Sequence, residues 1–440
     1  MSIPVIAVFD AGKTNKKLLL FNKEYKIVHE ETVQFTETKD ENNFPCEDLN
    51  ALTNWIKNSF DNLLQSKQFN INAINFCAYG ASLVHVDESG KPITPLYNYL
   101  KPYPQKLKKQ FYETYGGENL IALQTASPAL GSLNSGLQLY RLKYEKPNIF
   151  RKIKYSLHLP QYLSYLISGK IASDITSIGC HTQLWDFEKN DYHYWVYKEN
   201  LHQKFAPINN SKVAIKIACD NKQIHTGIGL HDSSAALIPY VLSFTEPFIL
   251  ISTGTWCVSL NPFNHSPLTI EELEQDCLFY FSYKAKPVKA SRLFAGNEHE
   301  EEIKKLAVYF NKSYNYFTTV KYDIDLLENR FEYNGQNFSI YNSYEHAYHH
   351  LIQNIILKQA HSTNLILKNT EVKKIFVDGG FSSNSVYMHL LAKAFATIKI
   401  YAASVPQASA LGAAMAIHKH WNKEKIPADL IKLKYFPADN

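Results

Sequence analysis

Three short stretches of this chain combine glycine, hydroxyl and carboxylate side chains in patterns that suit a polyanion and its metal. The first is Asp10-Ala11-Gly12-Lys13-Thr14-Asn15-Lys16-Lys17, set between the apolar runs Val5 to Phe9 and Leu18 to Phe21. Gly12 lets the backbone approach a phosphate, backbone N–H groups and the Thr14 hydroxyl can donate to its oxygens, and the Asp10 carboxylate can hold magnesium directly or through water. A plain surface hairpin with Asp and Asn in turn positions would read the same way. The second stretch, Ser252-Thr253-Gly254-Thr255-Trp256, offers the same equipment, and two such turns facing one another can hold a triphosphate from both sides. Trp256 reads as core. The third, Val377-Asp378-Gly379-Gly380-Phe381-Ser382-Ser383-Asn384, is a strand running into glycines and then a helix start, where free N–H groups suit a nucleotide. Ser382 or Ser383 is the expected cap of that helix.

A fourth stretch, His231-Asp232-Ser233-Ser234-Ala235-Ala236, follows the glycine-broken run Gly227-Ile228-Gly229. Asp232 admits two roles. It can cap the helix that begins there, or it can take the proton from a hydroxyl attacking a γ-phosphate. Three histidines, His346, His349 and His350, fall at i, i+3 and i+4. Zinc needs three or four convergent ligands, and with no second histidine pair to complete a set, a solvated helix face is expected there.

These residues need a scaffold, and the chain provides one twice. Val5–Phe9 and Leu18–Phe21 read as a hairpin, a helical spacing follows through Leu52, Ile56, Phe60 and Leu63, and Ala73 to Tyr79 is a buried strand leading to Gly80. From Phe248 the order repeats: a hairpin around Gly254, a long helix through Ala347, Leu351 and Ile355, the strand Ile375 to Val377, a helix through Leu390, the strand Ile398 to Ala402 and a small-residue helix from Ala408. A length of 440 residues exceeds what one core supports. The expected organisation is therefore α/β with two similar domains, residues 1–243 and 244–440, and a ligand clamped between them.

Composition narrows the class. Net charge is +5 from 46 basic and 41 acidic residues without a basic stripe, which argues against nucleic acid. The six cysteines are widely spaced and read as free thiols. Asp10 and Lys13 interrupt the first apolar stretch, so a strand and not a signal peptide is expected. No apolar run approaches the ~18 residues of a membrane span. The cytoplasm is the expected location.

Taken in order, the motifs resemble those of the FGGY carbohydrate kinases, in the actin-like (ribonuclease H-like) ATPase superfamily, and within them the rhamnulokinase branch. FDAGKTNKKLLLFN is similar to the family's first phosphate motif, ILISTGTWCVSLNP to its second, VDGGFSSNSVYMHLLAKAF to its adenosine motif and ASALGAAMAI to its connecting motif. The branch is suggested by Gly254-Thr255-Trp256, His231-Asp232-Ser233-Ser234-Ala235, Thr182-Gln183-Leu184, Asn134-Ser135 with Gln138-Leu139, and Asn297-Glu298. The resemblance implies two actin-like domains with an interdomain active-site cleft, and transfer of the γ-phosphate of ATP to a small sugar, with Mg2+. It implies Asp232 as catalytic base and Asp10 as the magnesium-linked carboxylate. Gly12, Thr14, Asn15, Lys17, Thr253, Gly254 and Thr255 would contact the nucleotide phosphates, and Gly379, Gly380 and Asn384 would lie near adenosine. Gly80, Ala81, Ser82 and His231 would join Asp232 around the sugar. A homodimer is the candidate assembly.

Two departures stand out. Lys13 replaces a small hydroxyl residue, and Ala81-Ser82 replaces a valine and an acidic residue, which removes an acceptor for sugar hydroxyls. A site built for one hydroxyl pattern rejects others, so a ketose such as rhamnulose, fuculose or a pentulose is expected without being fixed further. The competing expectations are a non-catalytic actin-like protein that senses ATP and sugar, and an acetate- or glucose-type kinase.

Overall fold

The computed structural model describes residues 2–219, 222–327, 333–405 and 407–438. Strand β1 (Ile3–Ala11) turns into β2 (Lys16–Asn22) and β3 (Ile27–Val33), an antiparallel meander. Helix α1 (Leu49–Leu64), capped by the Asp48 carboxylate on Ala51 N, crosses over to β4 (Phe69–Ala78), which pairs parallel with β1. Helix α2 (Leu159–Ser168) covers the same face as α1. Strands β5 (Ala214–Cys219) and β6 (Lys222–Gly227) complete the order β5-β6-β4-β1-β2-β3, and the short β7 (Leu230–His231) pairs with the end of β4.

After α3 (Asp232–Ala236) and α4 (Ile238–Ser243) the pattern recurs. Strands β8 (Phe248–Thr253) and β9 (Cys257–Asn261) form the second hairpin. Beyond β10 (Cys277–Phe281) and β11 (Pro287–Leu293) come helices α5 (Ala295–Tyr309) and α6 (Tyr344–Leu367). Next are β12 (Lys374–Gly379), α7 (Ser385–Ala394), β13 (Lys399–Ser404), α8 (Ala408–Ala416) and β14 (Lys432–Phe436). The second sheet runs β10-β11-β9-β8-β12-β13-β14. In each sheet the hairpin's first strand pairs parallel with the strand that follows the crossover, β4 in one and β12 in the other. The expected duplication is the observed topology.

The central strands are apolar on both faces, as parallel strands covered on both sides must be. With a period of two, Val5, Ala7 and Phe9 point to α1 and α2, while Ile6 and Val8 point to the opposite layer. In the second sheet Ile249 and Ile251 face α6 and α7, and Phe248 and Leu250 face that same opposite layer. One buried cluster therefore joins both sheets through α3, α4 and α8.

Helix α8 fits this layer because its residues are small. The Asn75 amide donates to Ala413 O at 2.7 Å, and a Cβ added at Gly412 would sit 1.8 Å from Ala235 O. Since Ala235 belongs to α3, Gly412 fixes the distance between α8 and the helix that begins with Asp232. Gly412→Ala should therefore cost about 1–3 kcal/mol by overpacking, read as a fall in melting temperature. Gly380→Ala, where a new Cβ meets nothing within 4 Å, should melt close to the parent.

Candidate active site

The carboxyl ends of the parallel strands bring the candidate residues together, the usual ligand position in such sheets. Asp10 is in register with Cys77, and β7 pairs with β4 at Cys77 and Ala78, so Asp232 emerges beside Asp10. Asp232 is the first residue of α3, and its carboxylate is 29% exposed. Its Oδ1 accepts from Ser233 N at 2.6 Å and the Ser233 hydroxyl at 3.3 Å, and lies 3.1 Å from His231 Nε2. A capping bond to a backbone N–H two or three residues on, the alternative role weighed for Asp232, is not made. Oδ2 has no partner among the described residues and is open to the cleft.

His231 is buried behind this carboxylate. Its backbone N–H donates to Thr176 Oγ1 at 3.0 Å, and its Nε2 lies 3.1 Å from Cys180 Sγ. Burial pushes its pKa down, with Arg292 adding to the shift and Asp232 opposing it. The imidazole is neutral near pH 7. Asp10 is half-buried at the edge of the first turn, and its pKa is raised to about 7, first by desolvation and then by the charge of Asp232, against the Cys77 thiol and Lys17. A carboxylate whose ionisation is opposed by a second carboxylate beside it suits a divalent cation.

The first turn is held from below. Lys16, 3% exposed, pairs with the buried Glu47 and donates to Lys13 O at 3.0 Å, while Tyr79 OH donates to Glu47 at 2.6 Å. Asp10, Gly12, Thr14, Asn15, Lys17 and Thr255 line a cavity of about 340 Å3. Lys17 also bonds Gln407 Oε1 at 3.0 Å and Glu30 at 3.3 Å, so it bridges the two halves.

Around the second turn Thr253 ties the phosphate hairpin to the glycine loop. Its hydroxyl donates to Asp378 O at 2.5 Å and accepts from Phe381 N at 3.0 Å. Gly379, at φ +85°, packs so closely that a Cβ would meet Thr253 O at 2.0 Å. Thr253, Gly254, Thr255, Gly380 and Asn384 line a cavity of about 620 Å3 whose apolar side includes Ile303 and Phe317. Gly379 itself stands behind that lining. Asn384 caps α7 through Tyr387 N at 3.0 Å. The expected serine cap is thus corrected: the Ser382 and Ser383 hydroxyls turn back onto Gly379 O and Gly380 O.

A third cavity, about 400 Å3, holds Gly80, Ala81, His231 and Asp232 opposite residues of the second half, Trp256 and Arg292 among them. Ser82 does not line it. Only 1% exposed, it lies under the loop, because Ala81 takes a left-handed φ of +61° that turns the next side chain inward. The Ala81 carbonyl accepts from Gln138 Nε2 at 2.7 Å, and Asn134 Nδ2 donates to His181 O at 2.9 Å, so the buried amides of the branch motifs hold the loop's backbone. Thr255 borders all three cavities.

Two further expectations change. Trp256 is no core residue: half-buried, it lines the third cavity beneath Arg292. His346, His349 and His350 are 7%, 0% and 1% exposed, packed inside α6 and not solvated. His349 contacts Glu345 O and accepts from Asp323 N, because the segment before α6 folds over that face. Among the described residues no group of three or more His, Cys, Asp or Glu could hold a metal, and no helix is long and apolar enough to cross a membrane. Cys46, Cys77, Cys180, Cys257 and Cys277 form no disulfide. Arg292, His181, Tyr99 and Tyr280 in the third cavity, and Phe317 in the second, carried no motif signal.

Weakening the anchor below the first turn should loosen it without unfolding the chain. Glu47→Gln should leave secondary structure intact, cost about 3–5 kcal/mol by leaving the buried Lys16 without its counter-charge, and weaken binding of any phosphate-bearing ligand in titration calorimetry.

The model of the FGGY carbohydrate kinase N-terminal domain matches residues 5–211, and that of the C-terminal domain matches residues 332–418. A rhamnulokinase of Halalkalibacterium halodurans is 27% identical over 262 residues, 56% of this chain and 54% of that protein. The chain thus spans about half the length of the curated relatives it matches. A carbohydrate kinase from Novosphingobium aromaticivorans superposes with TM-score 0.79 at 20% identity, covering 100% of this chain and 95% of that one. A ligand-bound xylulose kinase from Lactobacillus acidophilus gives 0.80 at 15%, covering 99% and 94%. The fold is that of the two-domain actin-like sugar kinases, and with both family models matched across most of its length, the chain belongs to the FGGY family of carbohydrate kinases.

Proposed function

We propose that the protein is an ATP-dependent sugar kinase in which Asp232 accepts the proton of the attacking hydroxyl. The observation that carries this is the meeting of three cavities at Thr255: one of nucleotide size, one lined by the first phosphate turn, and one of sugar size containing Asp232. Residues 1–243 would supply the sugar site, first turn and base, and residues 244–440 the second turn and adenosine pocket. The sugar is a ketose, with rhamnulose, fuculose and pentuloses as the candidates. The rhamnulokinase and xylulose kinase names of the relatives support that class.

In this mechanism the sugar oxygen forms a bond to the γ-phosphorus as the β–γ bridging P–O bond breaks and ADP leaves. The hydroxyl proton passes to Oδ2 of Asp232. Oδ1 is already occupied by Ser233 and His231, which fix the carboxylate's orientation. Thr14, Asn15, Lys17, Thr253, Gly254 and Thr255 cradle the phosphates, and Gly380 and Asn384 border the adenosine. Asp10 fits Mg2+, which keeps several waters and uses few protein carboxylates. Magnesium bound there with the nucleotide would neutralise charge on the phosphates.

Asp232→Asn keeps the side-chain shape and removes the acceptor. Sugar-dependent ADP release should fall by about 10²- to 10⁴-fold with ATP affinity and melting temperature nearly unchanged. Near-normal turnover would reject Asp232 as the base.

Asp10 makes a prediction about pH. Its folded pKa is raised from 3.8 to about 7, so the stability linked to its protonated form is full below pH 3.8 and lost as pH rises through 7. Without magnesium, melting temperature should decline across that window by less in Asp10→Asn than in the parent, and the variant should lose turnover. Parallel melting curves in the two proteins would contradict the raised value. Asp174 and Asp378, each raised to about 6 mainly by burial, are present in both proteins and cancel in the comparison.

A further inference from the structure

The wall facing Asp232 carries a charge that the mechanism leaves without a task. Arg292, in β11, is 7% exposed yet lines the third cavity. Its Nε and Nη2 form a fork with Asp276 at 3.1 and 2.7 Å, and its guanidinium lies 5.2 Å from the centroid of the Trp256 ring. One edge and one face are therefore fixed. Nη1, with two N–H donors, has no acceptor among the described residues. A guanidinium stays charged at any ordinary pH, so an Nη1 edge that reaches the cavity offers a charged donor to any acceptor a ligand brings there.

The rest of the cavity has the same bias. Among the described side chains that line it, Asp232 is the only carboxylate, against Lys13 and Arg292. The loop opposite presents Ala81, which has no acceptor in its side chain. A hydroxyl-only ligand must donate as well as accept, whereas a carbonyl oxygen only accepts. Facing a fixed guanidinium, an oxygen that only accepts is better matched than a hydroxyl, which must also place its own proton.

We propose that Arg292 is a specificity-determining residue whose Nη1 edge takes a carbonyl oxygen of the sugar, so that the site selects ketoses or sugar acids over the matched alditols. The shared chemistry is an sp² oxygen, ketone or carboxylate. The planar fork on Asp276 and the stack on Trp256 hold the donor in place before the ligand arrives, which lowers the ordering cost of binding. This rests on the assignment of the third cavity to a sugar.

Binding without turnover separates the two claims. The nucleotide-free protein is titrated by calorimetry with five- and six-carbon ketoses, the matched alditols and the matched aldonates. At least one ketose or aldonate should bind about 10- to 100-fold more tightly than its alditol, the range for a hydrogen bond to a charged donor. Ketose preference identifies a ketone oxygen, and aldonate preference a carboxylate. The double variant Arg292→Met with Asp276→Asn removes both charges together and so leaves neither partner unpaired. It should melt cooperatively and lose the preference, while its alditol affinity stays within a few-fold of the parent's. Equal alditol and ketose binding in the parent, or a preference that survives in the double variant, would overturn the role of Arg292 and leave the kinase intact. Failure of every sugar to bind would overturn the sugar assignment, and this proposal with it.

Discussion

Gly412 and the Ala235 carbonyl approach so closely that a Cβ at position 412 would stand 1.8 Å from the oxygen. That contact sets the spacing of the helical layer shared by the two sheets. On one side, α3 carries Asp232 out of the first half; on the other, α8 follows β13 of the second half and packs against β1 and β4. Asp232 and the 253–255 turn are thus positioned across a seam of small residues. Burial of small side chains gives close approach at little cost in side-chain entropy, so the geometry of the site is a property of the fold's centre more than of its loops.

Around that seam the structure concentrates charge it does not neutralise. Asp10 is half-buried and lifted to about 7, and Asp232 is open to the cleft through one oxygen. By contrast, the charges that only support are paired: Lys16 with Glu47 under the first turn, and Lys289 with Glu272 at 2.8 Å in the second half. Perturbed, incompletely compensated groups in a cleft are the usual mark of function. Here they border the three cavities that meet at Thr255.

Much of this was legible in the residues. Glycine between hydroxyl and carboxylate side chains located the turns of both hairpins, the apolar runs from Val5 and from Phe248 located the central strands, and the repeated order predicted the two halves. The errors have physical causes. Ser82 was read from its place in a motif, but the left-handed backbone at Ala81 turns it away from the cleft. The histidines of α6 looked like a polar face, because nothing local shows that Tyr322 and Asp323 fold over them. Trp256 looked like core, since its exposure depends on a partner, Arg292, reached only through the sheet pairing of β9 with β11. Arg292 and Phe317 were invisible for the same reason: their roles depend on tertiary neighbours far away in sequence.

The account turns on the three cavities acting as one continuous site. A crystal structure with a non-hydrolysable ATP analogue, magnesium and a ketose tests this most directly. The prediction is an adenine ring beside Ile303 and Phe317, a γ-phosphate between Thr14 and Thr255, and a sugar hydroxyl within hydrogen-bond reach of Asp232 Oδ2. A nucleotide bound outside the 253–255 turn, or a sugar whose hydroxyls all lie beyond reach of Asp232, would contradict it.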